Sequence, residues 1–168
     1  MVLELAVLCV FPWAMAFAGA MDLFTMTIPN RVSLVMVAGF FLLAPFTGLG
    51  LDGFLDHLGA GAAMLAVGIF MFAMGWLGGG DAKLFAAGAL WVGLDHLFEF
   101  AFYITFAGGI LTMAVLVFRR SLPHPWLLRQ PWAFRLHDPA SGVPYGIAIA
   151  AAALAVYPAM PWVQALRA

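Results

Sequence analysis

Charged residues punctuate this chain so rarely that they divide it into long uncharged runs: 5–21, 32–51, 57–80, 84–94, 100–118 and 139–166. A helix rises 1.5 Å per residue, so about 20 residues cross the roughly 30 Å of a bilayer core. Five of the six runs can span if helix ends extend slightly past a charge. The run 84–94 spans only if His96 and Leu97 extend it. Charged residues make up 9% of the 168 positions and hydrophobic ones 65%, whereas a soluble domain carries about 25% charged residues. A water-covered globule is thereby excluded. A cleaved signal peptide would be followed by a polar mature region, and none follows. The net charge of −1 gives no support to nucleic acid as a partner. The expected fold class is all-α: a polytopic membrane protein with six transmembrane helices in a single domain, 1–168. The spans are expected at about 3–22, 30–48, 57–77, 82–97, 99–118 and 143–163.

Orientation follows from lysine and arginine. With six spans, Arg31, Lys83, Arg119, Arg120, Arg129 and Arg135 all fall on one face, which is then cytoplasmic. Glu4, Asp52, Asp56, Asp95 and Glu99 fall on the other, with Arg167 as the basic exception. Dropping the fourth span would scatter the arginines over both faces. Both termini are therefore expected to be non-cytoplasmic. The polar loop 119–142 holds Pro123, Pro125, Pro131 and Pro139, which argue against a long helix. A short interfacial helix there could use Trp126 and Trp132 as anchors.

Two aspartates stand out against this background. Asp22 closes the first span in "AMDLFTMTIPN", and Asp81 opens the fourth in "WLGGGDAKLF". Ionisable residues at the membrane edge tend to pair or to line a cavity. In the six-span topology both lie at one depth on one side, so they can meet across a bundle. Two carboxyls in contact share a proton, the arrangement an aspartic protease uses. One member takes a proton from water while the other polarises the scissile carbonyl. Each aspartate has a simpler reading as a helix cap or a charge favouring a helix dipole. Gly78, Gly79 and Gly80 remove every Cβ before Asp81 and permit unusual dihedrals and close backbone approach. They also fit a plain tight turn. Pro29 suits the first turn of the second span, with Asn30 as a local cap.

Taken together, these residues resemble the prepilin peptidases, or type IV leader peptidases, polytopic aspartic proteases with a GxGD signature. The resemblance rests on Asp22 with Ile28-Pro29-Asn30, then Gly78-x-Gly80-Asp81-x-Lys83. It extends to "VPYGIAIA", residues 143–150, which is similar to the family's Pro-Tyr-Gly stretch opening the last span. It implies Asp22 and Asp81 as the catalytic pair, with Gly78, Gly79, Gly80, Lys83, Pro29 and Asn30 shaping the site or touching substrate. It implies cleavage of a prepilin leader at the cytoplasmic face of a bacterial inner membrane, without a cofactor. The implied partners are the prepilin, membrane lipid and the pilus assembly machinery. Larger members carry a cytoplasmic domain with paired cysteines, and many N-methylate the new terminus. Cys9 is the one cysteine here, so the chain looks like the short form associated with Flp-type (Tad) pilus systems.

The histidines, at 57, 96, 124 and 137, form no HxxxH or HExxH pattern, so no metal site is expected. Two other classes remain open. A small proton-coupled transporter would keep acids near the membrane midplane, and spans one, two, three and five carry none there. A non-catalytic pilus-assembly scaffold would tolerate loss of either aspartate.

Overall fold

A helix that is apolar on every side belongs in an interior, and the segment after the three glycines is one. In the computed structural model, which describes residues 2–122, 125–160 and 163–164, this segment forms α4 (Gly79–Val92). From Leu84 to Val92 every residue of it is buried. Around it stand α1 (Val2–Thr25), α2 (Asn30–Leu43), α3 (Leu51–Ala73), α5 (Leu97–Arg120) and α8 (Tyr145–Val156). Two short helices, α6 (Pro125–Leu128) and α7 (Pro131–His137), occupy the polar loop before α8. Among the described residues the fold is entirely helical. Three of the helices are long and apolar enough to cross a membrane: α1 over Leu8–Thr25, α3 and α5. The segments 30–46 and 145–159 are shorter and also apolar.

The fourth expected span, 82–97, is shorter as a helix. It stops at Val92 because Gly93 takes φ +78°, a conformation that ends helices and favours glycine. The carboxylate of Asp56 then accepts the Leu94 N–H at 2.9 Å, fixing the turn into α5. At 14 residues α4 is about 21 Å long, less than a bilayer core. The last expected span, 143–163, is helical over Tyr145–Val156 and continues as a 3-10 turn to Ala159. Arg167, Pro123 and His124 lie outside the described residues.

Packing around α4 follows from small residues and one tryptophan. α3 runs antiparallel to α4, and a Cβ at Gly68 would stand 3.2 Å from both the Cβ and the carbonyl oxygen of Ala82. Gly61, seven residues earlier, meets Leu90 in the same way. Small residues at such spacing let two helix backbones close without a hydrophobic drive. His57 on α3 donates from Nδ1 to the Leu90 carbonyl at 2.9 Å. On the opposite side Trp91, 1% exposed, packs against Phe11 and Phe40. Its Nε1 donates to the Met36 carbonyl at 2.9 Å, so its polar handle is satisfied in the core. α1 and α8 are antiparallel neighbours, and α5 lies along the other side of α8.

If the α3–α4 approach carries the fold, Gly68→Leu should destabilise it by about 1–3 kcal/mol. Thermal unfolding in detergent measures this, and an unchanged melting temperature would refute the close approach.

Candidate active site

The site is built where three helix ends meet. Asp22 occupies the last turn of α1 and is only 5% exposed. The chain leaves that helix through Met26, a non-glycine residue at φ +54°, whose N–H still bonds the Asp22 carbonyl at 2.8 Å. α8 begins at Tyr145 directly after Pro144. The first-turn amides of a helix have no internal acceptor. That of Gly146 donates to Asp22 Oδ2 at 2.7 Å, in a buried contact. Asp22 thus acts as a cap for α8 from another helix.

Asp81 is the third residue of α4. From that position a carboxylate can reach back to the N-cap residue, as in a capping box. Here the N-cap is Gly78, in extended conformation at φ −70° and ψ 149°. The Asp81 carboxyl lies against it, its Oδ2 2.9 Å from where a Cβ at Gly78 would stand. Ile28 packs on both Gly80 and Gly146, so the turn carrying Asp81 and the amide bonded by Asp22 are brought together around one side chain. Asp81 Oδ1 is buried and has no hydrogen-bond partner among the described residues.

The remaining sequence candidates divide between two faces of α4. Gly80 packs on the backbone and side chain of Ile28, where an added Cβ would stand 3.2 Å from the Ile28 Cβ. The "IPN" and "GGGD" segments are therefore in contact. Lys83 is two residues past Asp81, roughly 200° around the helix. Its Nζ donates to Asn30 Oδ1 at 2.9 Å, away from the carboxyls. Gly79 faces the ring of Phe72 on α3.

Several expectations change as a result. Asn30 does not cap α2; the N-cap is Pro29 with no side-chain bond, because the Asn30 side chain is engaged by Lys83. Among the described glycines only Gly48, Gly75 and Gly93 have positive φ. Gly80 is needed for close approach, not for an unusual dihedral.

Gly146 was not among the sequence candidates. Its signal was the Pro-Tyr-Gly stretch, which marks the start of the last helix without revealing that an amide there faces Asp22. Arg135 was legible only as a topological charge. Its Nη2 donates to the Phe24 carbonyl at 2.7 Å, covering an end carbonyl of α1 two residues beyond Asp22. Arg119 donates to the carbonyls of Leu136, Ser141 and Gly142, which secures the approach to Pro144.

Comparison with known families matches residues 9–113 to the type IV leader peptidase family. The chain belongs to that family. No curated protein and no solved structure gives a significant match. The matched region contains Asp22, the "IPN" segment and "GGGDAK", while Gly146 lies beyond it. Type IV leader peptidase membership makes this chain a protease, with a prepilin as the implied substrate, and the apolar helices agree with a membrane protein.

A valine at position 80 would drive a branched side chain into Ile28 and displace Asp81. Gly80→Val should lower leader cleavage per folded molecule at least about tenfold, with Leu111→Val as the control. Cleavage at the wild-type rate would reduce the glycines to a turn.

Proposed function

We propose that the chain is an aspartic endopeptidase that removes the leader from type IV prepilins at the cytoplasmic membrane face. The observation that carries this reading is that two acids meet around Ile28: its side chain packs on Gly80, beside Asp81, and on Gly146, whose amide donates to Asp22. In this reading the two carboxyls share one proton. The ionised member takes a proton from a water held between the pair, and the water oxygen attacks the scissile carbonyl carbon. The protonated member donates a hydrogen bond to the carbonyl oxygen as it becomes negative. Collapse of the tetrahedral intermediate breaks the C–N bond, and the pair returns a proton to the leaving amine. Both carboxyls then recover their starting state.

In this reading the chain crosses the bacterial inner membrane six times, as one domain, with both termini outside the cytoplasm. The hydrogen bonds of Asp22, Lys83, Arg119 and Arg135 lie at one end of the bundle. Asp56 and the His57–Leu90 bond lie at the other. This segregation supports the arginine-rich end as cytoplasmic. Lys83 and Asn30 shape the site by tying α4 to α2. A Flp-type prepilin is the proposed substrate, on the resemblance to the short form with a single cysteine.

Asp22→Asn and Asp81→Asn should each abolish leader removal from a co-expressed prepilin, read by mass, while the protein still inserts. Loss from only one variant would break the paired mechanism. Tolerance of both would favour a scaffold.

Topology has its own check. In a Cys9→Ala background, Ser121→Cys should label from the cytoplasmic side and Asp52→Cys from the opposite side. Labelling of both from one side would overturn the six-span arrangement.

A further inference from the structure

One side chain lies between the two segments that deliver the halves of the Asp22–Gly146 contact. Arg119 sits in the last turn of α5 and is half-buried. Its guanidinium is planar, always charged and rigid, so its donors point in fixed directions relative to one another. Nε donates to the Leu136 carbonyl at 2.9 Å, near the end of α7. Nη2 donates to the carbonyls of Ser141 at 2.8 Å and Gly142 at 2.9 Å. One arm of the fork therefore holds α7, and the other holds the segment that becomes α8.

Each arm leads to one partner of the buried contact. α7 reaches α1 through Arg135, whose Nη2 bonds the Phe24 carbonyl at 2.7 Å. It reaches α1 again through Trp132, whose ring stands edge-on to Phe24 at 6.3 Å. Phe24 lies two residues beyond Asp22. The other arm ends at Gly142, and Val143 and Pro144 lead from there into α8 and the Gly146 amide. The helices also have holds on one another that do not involve Arg119. The His137 ring stands edge-on to Phe118 at 5.3 Å, and its Nε2 bonds the Ser121 carbonyl at 3.3 Å. Gly108 packs on the Tyr145 ring, and the Thr112 and Tyr145 hydroxyls bond at 3.1 Å. α5, α7 and α8 are thus kept together without the guanidinium. What Arg119 adds is one rigid group bonded both to α7 and to the loop entering α8.

We propose that Arg119 is a positioning residue for leader cleavage: by bridging α7 and the loop before α8, it sets where the Gly146 amide stands relative to Asp22. The inference rests on the peptidase reading above and adds a residue that acts without touching substrate. An ionised donor makes shorter and stronger hydrogen bonds than a neutral one. Three of them from one fork leave the loop little freedom to carry the amide away from the carboxylate. Arg120, the next residue, has the same charge at the same helix end. It is exposed and makes no hydrogen bond among the described residues. A role of charge alone would fall on both arginines, and a role of geometry falls on Arg119.

Three variants of the full chain test this: Arg119→Ala, Arg119→Lys and Arg120→Ala. Each is measured for prepilin cleavage per folded molecule and for hydrogen–deuterium exchange at the Gly146 amide. Arg119→Ala should lower kcat about ten- to a hundredfold, as misplaced catalytic groups do. KM should stay unchanged, because no contact with bound substrate is lost. Arg119→Lys keeps the charge, but a single ammonium cannot reproduce the fork along both arms, so part of the loss should persist. Exchange at Gly146 should quicken in both Arg119 variants and keep its wild-type rate in Arg120→Ala. Wild-type kcat in either Arg119 variant, an equal loss in Arg120→Ala, an effect confined to KM, or unchanged exchange at Gly146 overturns the positioning role. If Arg119→Ala does not fold, Arg119→Lys decides the matter by the same criteria. Absence of cleavage by the unaltered chain would instead sink the peptidase reading, and the exchange rates would still decide whether Arg119 holds the Gly146 amide.

Discussion

A carboxylate drawn out of water loses several kcal/mol of hydration unless hydrogen bonds replace it. Asp22 is buried at the end of α1, and the amide of Gly146 is what it receives in exchange. That one contact links residues 124 positions apart, and much of the surrounding structure serves to hold it. Arg119 gathers three carbonyls of the returning loop so that the chain reaches Pro144 at the right place. α8 begins directly after Pro144, and the Gly146 amide, being in its first turn, has no acceptor within its own helix. Arg135 covers the end of α1, and Trp132 packs edge-on against Phe24 beside it. The loop that the prolines keep from forming one long helix is thus organised by arginines, each bonding backbone carbonyls.

α4 brings the second acid to the same end of the bundle, where Ile28 packs on both Gly80 and Gly146. Its register is fixed on one side by Gly61 and Gly68 against α3, and on the other by the Trp91–Met36 bond. Once that register is set, Asp81 falls opposite Asp22, while Lys83 falls on the far face and bonds Asn30. The alternation of acid and base in "DAK" therefore separates two jobs on one helix. In the proposed mechanism one face carries the chemistry, and the other carries the tie to α2.

The sequence was most readable where composition alone decides. Long uncharged runs imply apolar helices whatever their neighbours, and the two aspartates stand out because charge is so scarce. What was not readable depended on direction. Nothing in "GGGDAK" says that Lys83 turns away from Asp81, because that follows from helical phase once α4 is known to begin at Gly79. Nothing in "IPN" says that Ile28 lies under Gly80. The end of α4 at Val92 was hidden because Gly93 reads equally well as a helix residue or a stop. Gly146 was hidden for a different reason. Its contribution is a backbone amide, and a main-chain donor leaves no side-chain signature in a sequence.

The shortness and complete enclosure of α4 have a consequence for biogenesis. A helix of about 21 Å cannot bring both its ends to the two surfaces of a 30 Å hydrocarbon layer. Alone in lipid, the Lys83 ammonium and the Leu94 amide would sit near or within that layer without protein partners. Asn30 on α2 and Asp56 on α3 supply those partners. α4 therefore depends on its neighbours for the partners of both its ends. In the six-span reading α4 gains those partners only once α2 and α3 are in place, so the aspartate pair would be completed late in the maturation of the chain.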